Sequence, residues 1–230
     1  MKTQVDPAFI ESDHATGKHL VKCGKVGRPP INLGLDVSEC LFHLRSTLDY
    51  IAHRLGDVHS TPIPRTDIKE LRKPEFPIFG DRAPHTGEWE KKIGRAHPDA
   101  INIIKSVQPY LSGDFAVHPL WVLHELNNID KHRMITPCVM SRVVKDIRVV
   151  KGRFKRASIP YRGAVVDGAI ICTVETEIEA DFKPEIEVEL SIDVGFDDTP
   201  VVPYESIRGW LEFILKFIKR NIIGPLQPFL

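Results

Sequence analysis

The hydrophobic period of this chain changes along its length, and this change constrains the fold more than any other feature of the sequence. In four stretches the apolar residues recur every three or four positions, as in amphipathic helices; these are 35–57, 88–108, 119–135 and 204–225. Apolar and polar residues alternate in 170–179 and 186–194, and less cleanly in 142–154, as in half-buried strands. We therefore predict an α+β fold, a helical bundle of about four helices with a small antiparallel β-sheet inserted before the C-terminal helix.

Proline and glycine mark the predicted element boundaries. Gly56 ends the first helix, Pro98 interrupts the second helical stretch, and Gly224-Pro225 ends the last helix. FKPE at 182–185 is predicted to form a hairpin turn between the two alternating strands. The segment 57–87 contains five prolines, so it is predicted to be an extended connection anchored by its aromatic residues.

The length of 230 residues allows one large domain or two small ones. We predict a single α+β domain over 1–230. Its subdivision would give a mainly helical part (1–136), a β-sheet part (137–202) and a C-terminal helix (203–230) that packs back on the rest.

Composition excludes several classes of protein. Lys plus Arg and Asp plus Glu balance at 31 each, so no overall charge attracts nucleic acid or an anionic membrane. No apolar run is long enough for a membrane span, and we expect a cytoplasmic protein. The four cysteines form no C-x-x-C pair, so we expect neither a structural zinc site nor a redox dithiol. We also expect no cofactor and no bound metal. Cys40 and Cys172 are predicted to be buried as small apolar residues.

Two helices carry ionisable residues whose spacing places them on common faces. Arg45 and Asp49 are four residues apart on the first helix. On the third helix, Asn127 and Asp130 share a face and Arg133 lies one turn beyond. If these helices pack side by side, Arg45 and Asp130 can make a bidentate contact. We therefore predict a structural polar network between the helices, consisting of Arg45, Asp49, Asn127, Asp130 and Arg133.

Four motifs carry a resemblance to known proteins. They are LRSTLDYIAHRL at 44–55, FPIF at 76–79, QPY at 108–110 and HPLWVLHELNNIDKHR at 118–133. Together they resemble a family of bacterial proteins, without an assigned activity, that share an LRSxLDxxA helix, an FPI segment, a QPY turn and an LxxLNxxDKHR helix. The helical part is more loosely similar to HEPN domains, helical bundles found in prokaryotic toxin and defence ribonucleases with a closely spaced arginine and histidine. The first resemblance implies a shared architecture and polar cluster, and the second implies ribonuclease activity.

Three functions are compatible with these residues. The first is a non-catalytic binding or assembly module, homo-oligomer formation included, in which the polar network fixes the register of the helices. The alternative is a HEPN-like, metal-independent ribonuclease: His132 or His53 would take the 2′-hydroxyl proton, and Arg45 or Arg133 would stabilise the phosphate. The third is a metal-dependent hydrolase with the ligands His124, Asp130 and His132.

A basic run at 142–156 has two interpretations. Seven of its fifteen residues are Lys or Arg, which is typical of an RNA-binding surface. The strands at 170–179 and 186–194 carry acidic residues at alternating positions. Opposite charges on neighbouring strands stabilise a sheet face, so we favour a solvated face of mixed sign, with RNA as the alternative partner.

Overall fold

A computed structural model describes residues 8–61, 66, 74–133, 135–159, 164–178, 184–197 and 199–230. Helices and strands are mixed, and the chain divides into two compact units. The β unit comprises Met1–Leu33, Thr136–Asp198 and Pro203–Ile207. The helical unit comprises Gly34–Ile135, Thr199–Val202 and Arg208–Leu230.

The strands that the structure describes in the β unit form two sheets. In chain order they are β1 (Phe9–Asp13), β2 (Lys18–Lys22), β3 (Thr136–Lys151), β4 (Phe154–Ser158), β5 (Ile170–Thr176) and β6 (Glu185–Asp197). Four of them make an antiparallel sheet in the order β1-β2-β5-β4. The other two, β3 and β6, make a separate antiparallel ribbon.

The ribbon packs on one face of the four-stranded sheet. Val21 on β2 and Cys172 and Val174 on β5 are fully buried on that face. The ribbon residues that pack against them are Ile147, Val149, Ile186 and Val188. The core of the β unit therefore lies between the two sheets, as in sheet-on-sheet packing.

His19 is a polar member of the sheet, and it is fully buried. Its Nδ1 lies 2.8 Å from Ser12 Oγ and its Nε2 lies 3.1 Å from Thr176 Oγ1. Burial disfavours the charged imidazolium and lowers the pKa of His19. The ring is thus held neutral between two hydroxyl groups.

The predicted architecture, a bundle of about four helices with one small sheet before the last helix, is wrong. The strands make two sheets, and β1 and β2, at the beginning of the chain, belong to the larger one. Four of the five residues of β1 are exposed, so its sequence does not show the alternation of a half-buried strand. The pairing of β2 with β5 joins residues that are far apart in sequence, which a local period cannot reveal.

The predicted hairpin turn at 182–185 is also wrong. Its first two residues lie outside the described ranges, but the strands on either side do not pair with each other: β5 pairs with β2 and β4, and β6 pairs with β3. In β5 the alternation correctly predicts that Cys172, Val174 and Thr176 are buried, but Ile170 on the same predicted face is 38% exposed. The alternation does not specify a partner, because the same period suits every neighbouring strand.

The helical unit is built around α1 (Asn32–His59). The other helices are α2 (Glu88–Ile93), α3 (Pro98–Ser106), α4 (Pro119–His132) and α5 (Ile207–Phe217). The buried apolar positions of α1 and α4 recur every three or four residues, as predicted; they include Leu41, Leu48, Leu55, Leu120, Leu123 and Leu126. Within the described ranges, none of the helices has the length and apolarity that crossing a bilayer requires.

Two predictions on α1 are wrong. The helix continues past Gly56 to His59, and Gly56 is buried within its last turn. Cys40 is exposed, since it lies one position away from the buried Leu41. The prediction for Cys172 is confirmed, because it is fully buried.

The ends of the short helices follow their sequence signals. The predicted interruption at Pro98 is confirmed, because α2 ends at Ile93 and α3 begins at Pro98. The Nδ1 atoms of His97 and His118 accept backbone hydrogen bonds from Asp99 and Leu120 and so cap α3 and α4.

The last helix does not end at Gly224-Pro225 as predicted. After α5 the chain makes a π-helical turn over Ile218–Ile223 and continues as a short helix, α6 (Gly224–Leu226). The Gly224 N–H donates to Lys219 O, five residues back. A wider turn before Pro225 gives its ring room against the preceding turn, so the helix axis continues through the proline.

Candidate functional site

The candidate site begins with Arg45, whose side chain points into the helical unit. Arg45 is only 7% exposed although it is charged. Its Nη2 donates to Glu75 Oε1 at 2.8 Å and to Phe76 O at 3.0 Å, and it lies 2.9 Å from Asp49 Oδ1. Its Nη1 is buried and has no hydrogen-bond acceptor among the described residues. The guanidinium is therefore enclosed and bonded within the chain.

Asp49 lies one turn further along α1 and completes the contact with the same backbone. Its Oδ1 accepts the Phe76 N–H at 3.0 Å. Burial raises the pKa of Asp49, and the positive charge of Arg45 opposes this rise. The pair Arg45 and Asp49 thus binds both backbone polar groups of Phe76, which is itself fully buried.

Glu75 lies between two cations. Arg45 holds one of its carboxylate oxygens, and Lys92 on α2 donates to the other, Oε2. Burial opposes ionisation of Glu75, but the hydrogen bond and the charges of Lys92 and Arg45 outweigh it, so the pKa of Glu75 is lowered. Two cations and two carboxylates therefore balance within one cluster.

Gln108 binds the other end of the same segment. It is 1% exposed, and its Oε1 accepts the Phe79 N–H at 3.0 Å. Its Nε2 donates to Pro77 O at 2.9 Å and to Ile104 O at 3.1 Å. The Tyr110 N–H donates to Phe79 O at 3.3 Å. We call this arrangement the FPIF clasp; it comprises Arg45, Asp49, Glu75, Lys92 and Gln108 around Phe76–Phe79.

The clasp unites three of the four sequence motifs. An extended segment has no helix or sheet partner for its backbone groups, so buried segments of this kind need side chains to bind them. Here Arg45 and Asp49 supply those side chains from one motif, and Gln108 from another. The motif residues therefore have a direct structural role in holding the segment that follows Glu75.

His124 on α4 is the histidine that is electrostatically coupled to the clasp. Burial lowers the pKa of His124, and the positive charge of Arg45 lowers it further. Its Nε2 lies 3.0 Å from Asn128 Nδ2, one turn along α4. Its ring lies 5.7 Å, centroid to centroid, from that of Trp121. His124 is therefore a neutral, half-buried side chain bonded on its own helix.

Arg45 and Asp130 do not form the predicted pair in the described structure. Asp130 Oδ1 accepts a hydrogen bond from Ser38 Oγ, two turns before Arg45 on α1. Ser38 contacts Asp130, and Arg45, which comes later on α1, is close enough to His124, which comes earlier on α4, to lower its pKa. The two helices therefore run antiparallel. The two helices are neighbours, but their antiparallel register places Asp130 near the beginning of α1.

The remaining candidate residues are distributed along the two helices. Asn127 is 5% exposed on α4, and Arg133 follows the end of α4, where its N–H donates to Ile129 O at 2.9 Å. His132 is exposed at the last position of α4. His53 Nδ1 lies 3.2 Å from Asp57 Oδ2 on α1. The structure brings Arg45 and Asp49 together and leaves these four side chains outside the clasp contacts.

The sequence did not identify three residues of the clasp, Glu75, Lys92 and Gln108. It identified His124 as a candidate metal ligand, but not as a neighbour of Arg45. Glu75 and Gln108 had a signal, because Glu75 directly precedes FPIF and Gln108 begins QPY. Lys92 had none, since it is one of several charged residues on a short helix. Its contribution depends on the tertiary position of α2.

A cleft of about 660 Å³ lies beside the clasp, as bounded by the described residues. Glu75 and Lys92 form part of its wall, together with Ala52 and Gly56 of α1 and further residues of α2. The Glu75 side chain is 45% exposed. The outer edge of the charged cluster therefore faces solvent, whereas Arg45 is enclosed.

The basic run of the β unit lies beside acidic side chains. Arg156 Nη2 is 2.8 Å from Glu175 Oε1, and Arg153 Nη1 is 3.6 Å from Glu177 Oε2. Lys151 Nζ is 4.0 Å from Glu185 Oε2. These pairs agree with the predicted sheet face of mixed sign, because three of the basic side chains have a carboxylate neighbour.

The predicted metal ligands are not gathered. Over the ranges that the structure describes, His, Cys, Asp and Glu side chains do not form a group of three suited to a metal ion. His124 is bonded to Asn128 and Asp130 to Ser38.

A comparison with protein-family models, with curated proteins and with solved structures found no match in any of the three.

Proposed function

We propose that the chain is a non-catalytic binding or assembly module whose FPIF clasp is structural. The observation that supports this proposal is the environment of Arg45: Nη2 is bonded to Glu75 and to Phe76 O, and the residue is 7% exposed. A phosphate-stabilising arginine must present its guanidinium to a substrate. Arg45 presents its guanidinium to the protein's own carboxylates instead.

The positions of the histidines support the same proposal. His53 is eight residues from Arg45 on α1, about 12 Å along the helix axis. His132 is eight residues beyond His124 on α4, again about 12 Å along its axis. General acid–base catalysis with electrostatic stabilisation requires both groups within reach of one phosphodiester. Neither histidine is on the turn that carries Arg45 or on the turn that faces it, so neither is placed to act together with Arg45.

The experiment is an RNA cleavage assay with a fluorescently labelled single-stranded RNA pool, without added metal. The wild-type protein is compared with His132→Ala, His53→Ala and the control variant His85→Ala, whose histidine is exposed outside α1 and α4. We expect all four proteins to match a mock purification. Cleavage by the wild type that is lost in His132→Ala or His53→Ala, with an unchanged melting temperature, would overturn the proposal in favour of a ribonuclease.

A further inference from the structure

One stripe of α1 exposes large apolar side chains. Leu35, Phe42 and Tyr50 are 56%, 59% and 72% exposed. Ser46 lies midway between Phe42 and Tyr50, and spacings of seven, four and four residues align these side chains along one line of the helix. We call Leu35, Phe42, Ser46 and Tyr50 the outer stripe. An aligned set of exposed apolar side chains is typical of an interaction surface.

We propose that the outer stripe is a homodimer interface, in which two copies of α1 pack antiparallel about a two-fold axis at Ser46. The proposal rests on the proposed function and identifies the partner of the module as a second copy of the chain. A two-fold interface requires a surface that is complementary to itself. Phe42 and Tyr50 lie four residues before and after Ser46, so each Phe42 faces Tyr50 of the second copy. The small Ser46 allows a close approach at the axis.

Two charged side chains on the face of the outer stripe are self-complementary in the antiparallel arrangement: Glu39, between Leu35 and Phe42, and Arg54, one turn beyond Tyr50. Glu39 is exposed seven residues before Ser46, and the exposed Arg54 lies eight residues after it. Each Glu39 therefore comes to the level of Arg54 in the second copy. His53, next to Arg54 in the sequence, also comes to the level of Glu39 in the second copy, and its own neighbour on α1 is Asp57. A parallel pairing would place Glu39 against Glu39, so the charges favour an antiparallel second copy over a parallel one.

The size of the surface predicts a weak dimer. From Leu35 to Asp57 the helix rises about 33 Å. A helix face roughly 11 Å wide over that length gives on the order of 700 Å² for the two copies together, below the standard size of a stable interface. We therefore expect a weak, reversible dimer.

Sedimentation velocity on the full chain, over about 1 to 300 µM, measures this equilibrium. We expect a monomer–dimer transition that Phe42→Glu and Tyr50→Glu each weaken by at least about tenfold. Both side chains are exposed, so the melting temperatures of the variants should equal that of the wild type. Leu111→Glu is the matched control, because Leu111 is 59% exposed outside α1. A wild type that stays monomeric, or a dimer that Phe42→Glu leaves intact, would overturn the proposal.

Charge reversal tests the antiparallel register. Glu39→Arg and Arg54→Glu should each weaken self-association, because each creates two like-charge contacts. A mixture of the two variants should associate as heterodimers at wild-type strength, since each contact then joins opposite charges. If the mixture associates no more strongly than either variant alone, the antiparallel register is wrong.

The RNA cleavage assay is independent of this result. A monomeric protein that does not cleave RNA refutes only the dimer, whereas histidine-dependent cleavage refutes the proposed function.

Discussion

Arg45 Nη2 donates to Glu75 Oε1 at 2.8 Å, which ties the middle of α1 to the residue that directly precedes the FPIF segment. The same nitrogen donates to the carbonyl of Phe76. One side chain thus neutralises a carboxylate and satisfies a buried backbone group. This relationship is the basis of the structural role that we propose for the motif arginine.

Replacement of Arg45 by Met should lower the free energy of unfolding by about 2 to 3 kcal/mol. Removing one partner of a buried ion pair costs roughly 3 to 5 kcal/mol, and the partial exposure of Asp49 and Glu75 reduces that cost. Urea denaturation at pH 7 measures the change. Arg82→Met, at an exposed arginine, is the control and should have no effect.

The loss of unfolding free energy caused by Arg45→Met should become smaller as the pH falls. The pKa of Glu75 is lowered in the folded protein, so its stabilising contribution is present above the unfolded pKa of about 4.3 and is lost as the pH falls through the folded value. Wild type and variant should therefore differ more in unfolding free energy at pH 7 than at pH 3.5. An equal difference at both values would assign the loss to packing rather than charge.

Gln108→Ala should destabilise the protein by about 3 kcal/mol. The substitution removes three hydrogen bonds, each worth roughly 1 kcal/mol, and leaves the Phe79 N–H and the Pro77 carbonyl without the amide that binds them. Chemical denaturation measures the loss. Gln227→Ala is the matched control at an exposed glutamine. Equal stability of the two variants would contradict a structural role for the QPY motif.

Gly80→Ala should destabilise the protein by about 1 to 3 kcal/mol, because the added methyl overpacks the site. A Cβ at Gly80 would lie 2.5 Å from Trp121 Cζ3 and 2.7 Å from two further ring atoms. The double variant Gly80→Ala/Trp121→Leu should be more stable than additivity of the two single variants predicts. Additive melting data would show that the indole moves aside without cost.

Stability should fall as the pH drops below about 6.5, the unfolded pKa of histidine. Burial lowers the pKa values of His19, His118 and His124 in the folded protein. Between pH 6.5 and the folded values the unfolded chain binds more protons, so protonation favours unfolding. Melting temperatures from pH 8 to 5 should decline below 6.5, and His19→Gln should decline less. A flat profile from pH 7 to 5 would contradict the inferred burial effect.

The local parts of the fold could be predicted from the sequence, and the long-range pairing could not. The helix break at Pro98 and the inward positions of β5 follow from residue chemistry and period. β5 pairs with the preceding strand β4 and also with β2 near the beginning of the chain, and the second pairing joins segments that no local pattern connects. At the site, the proximity of Arg45 and Asp49 follows from their spacing on one helix. Glu75 belongs to the site only because the extended segment that contains it crosses α1 next to Arg45, which the spacing on one helix cannot predict.

The coupling free energy between Arg45 and Glu75 tests the central claim most directly. A double-mutant cycle with Arg45→Met, Glu75→Gln and the double variant, followed by urea unfolding at pH 7, isolates it. The structural role of the clasp predicts a coupling of at least about 1 kcal/mol that decreases at pH 3.5. A coupling within about 0.3 kcal/mol of zero would contradict it, because the two residues would then act independently in the folded chain.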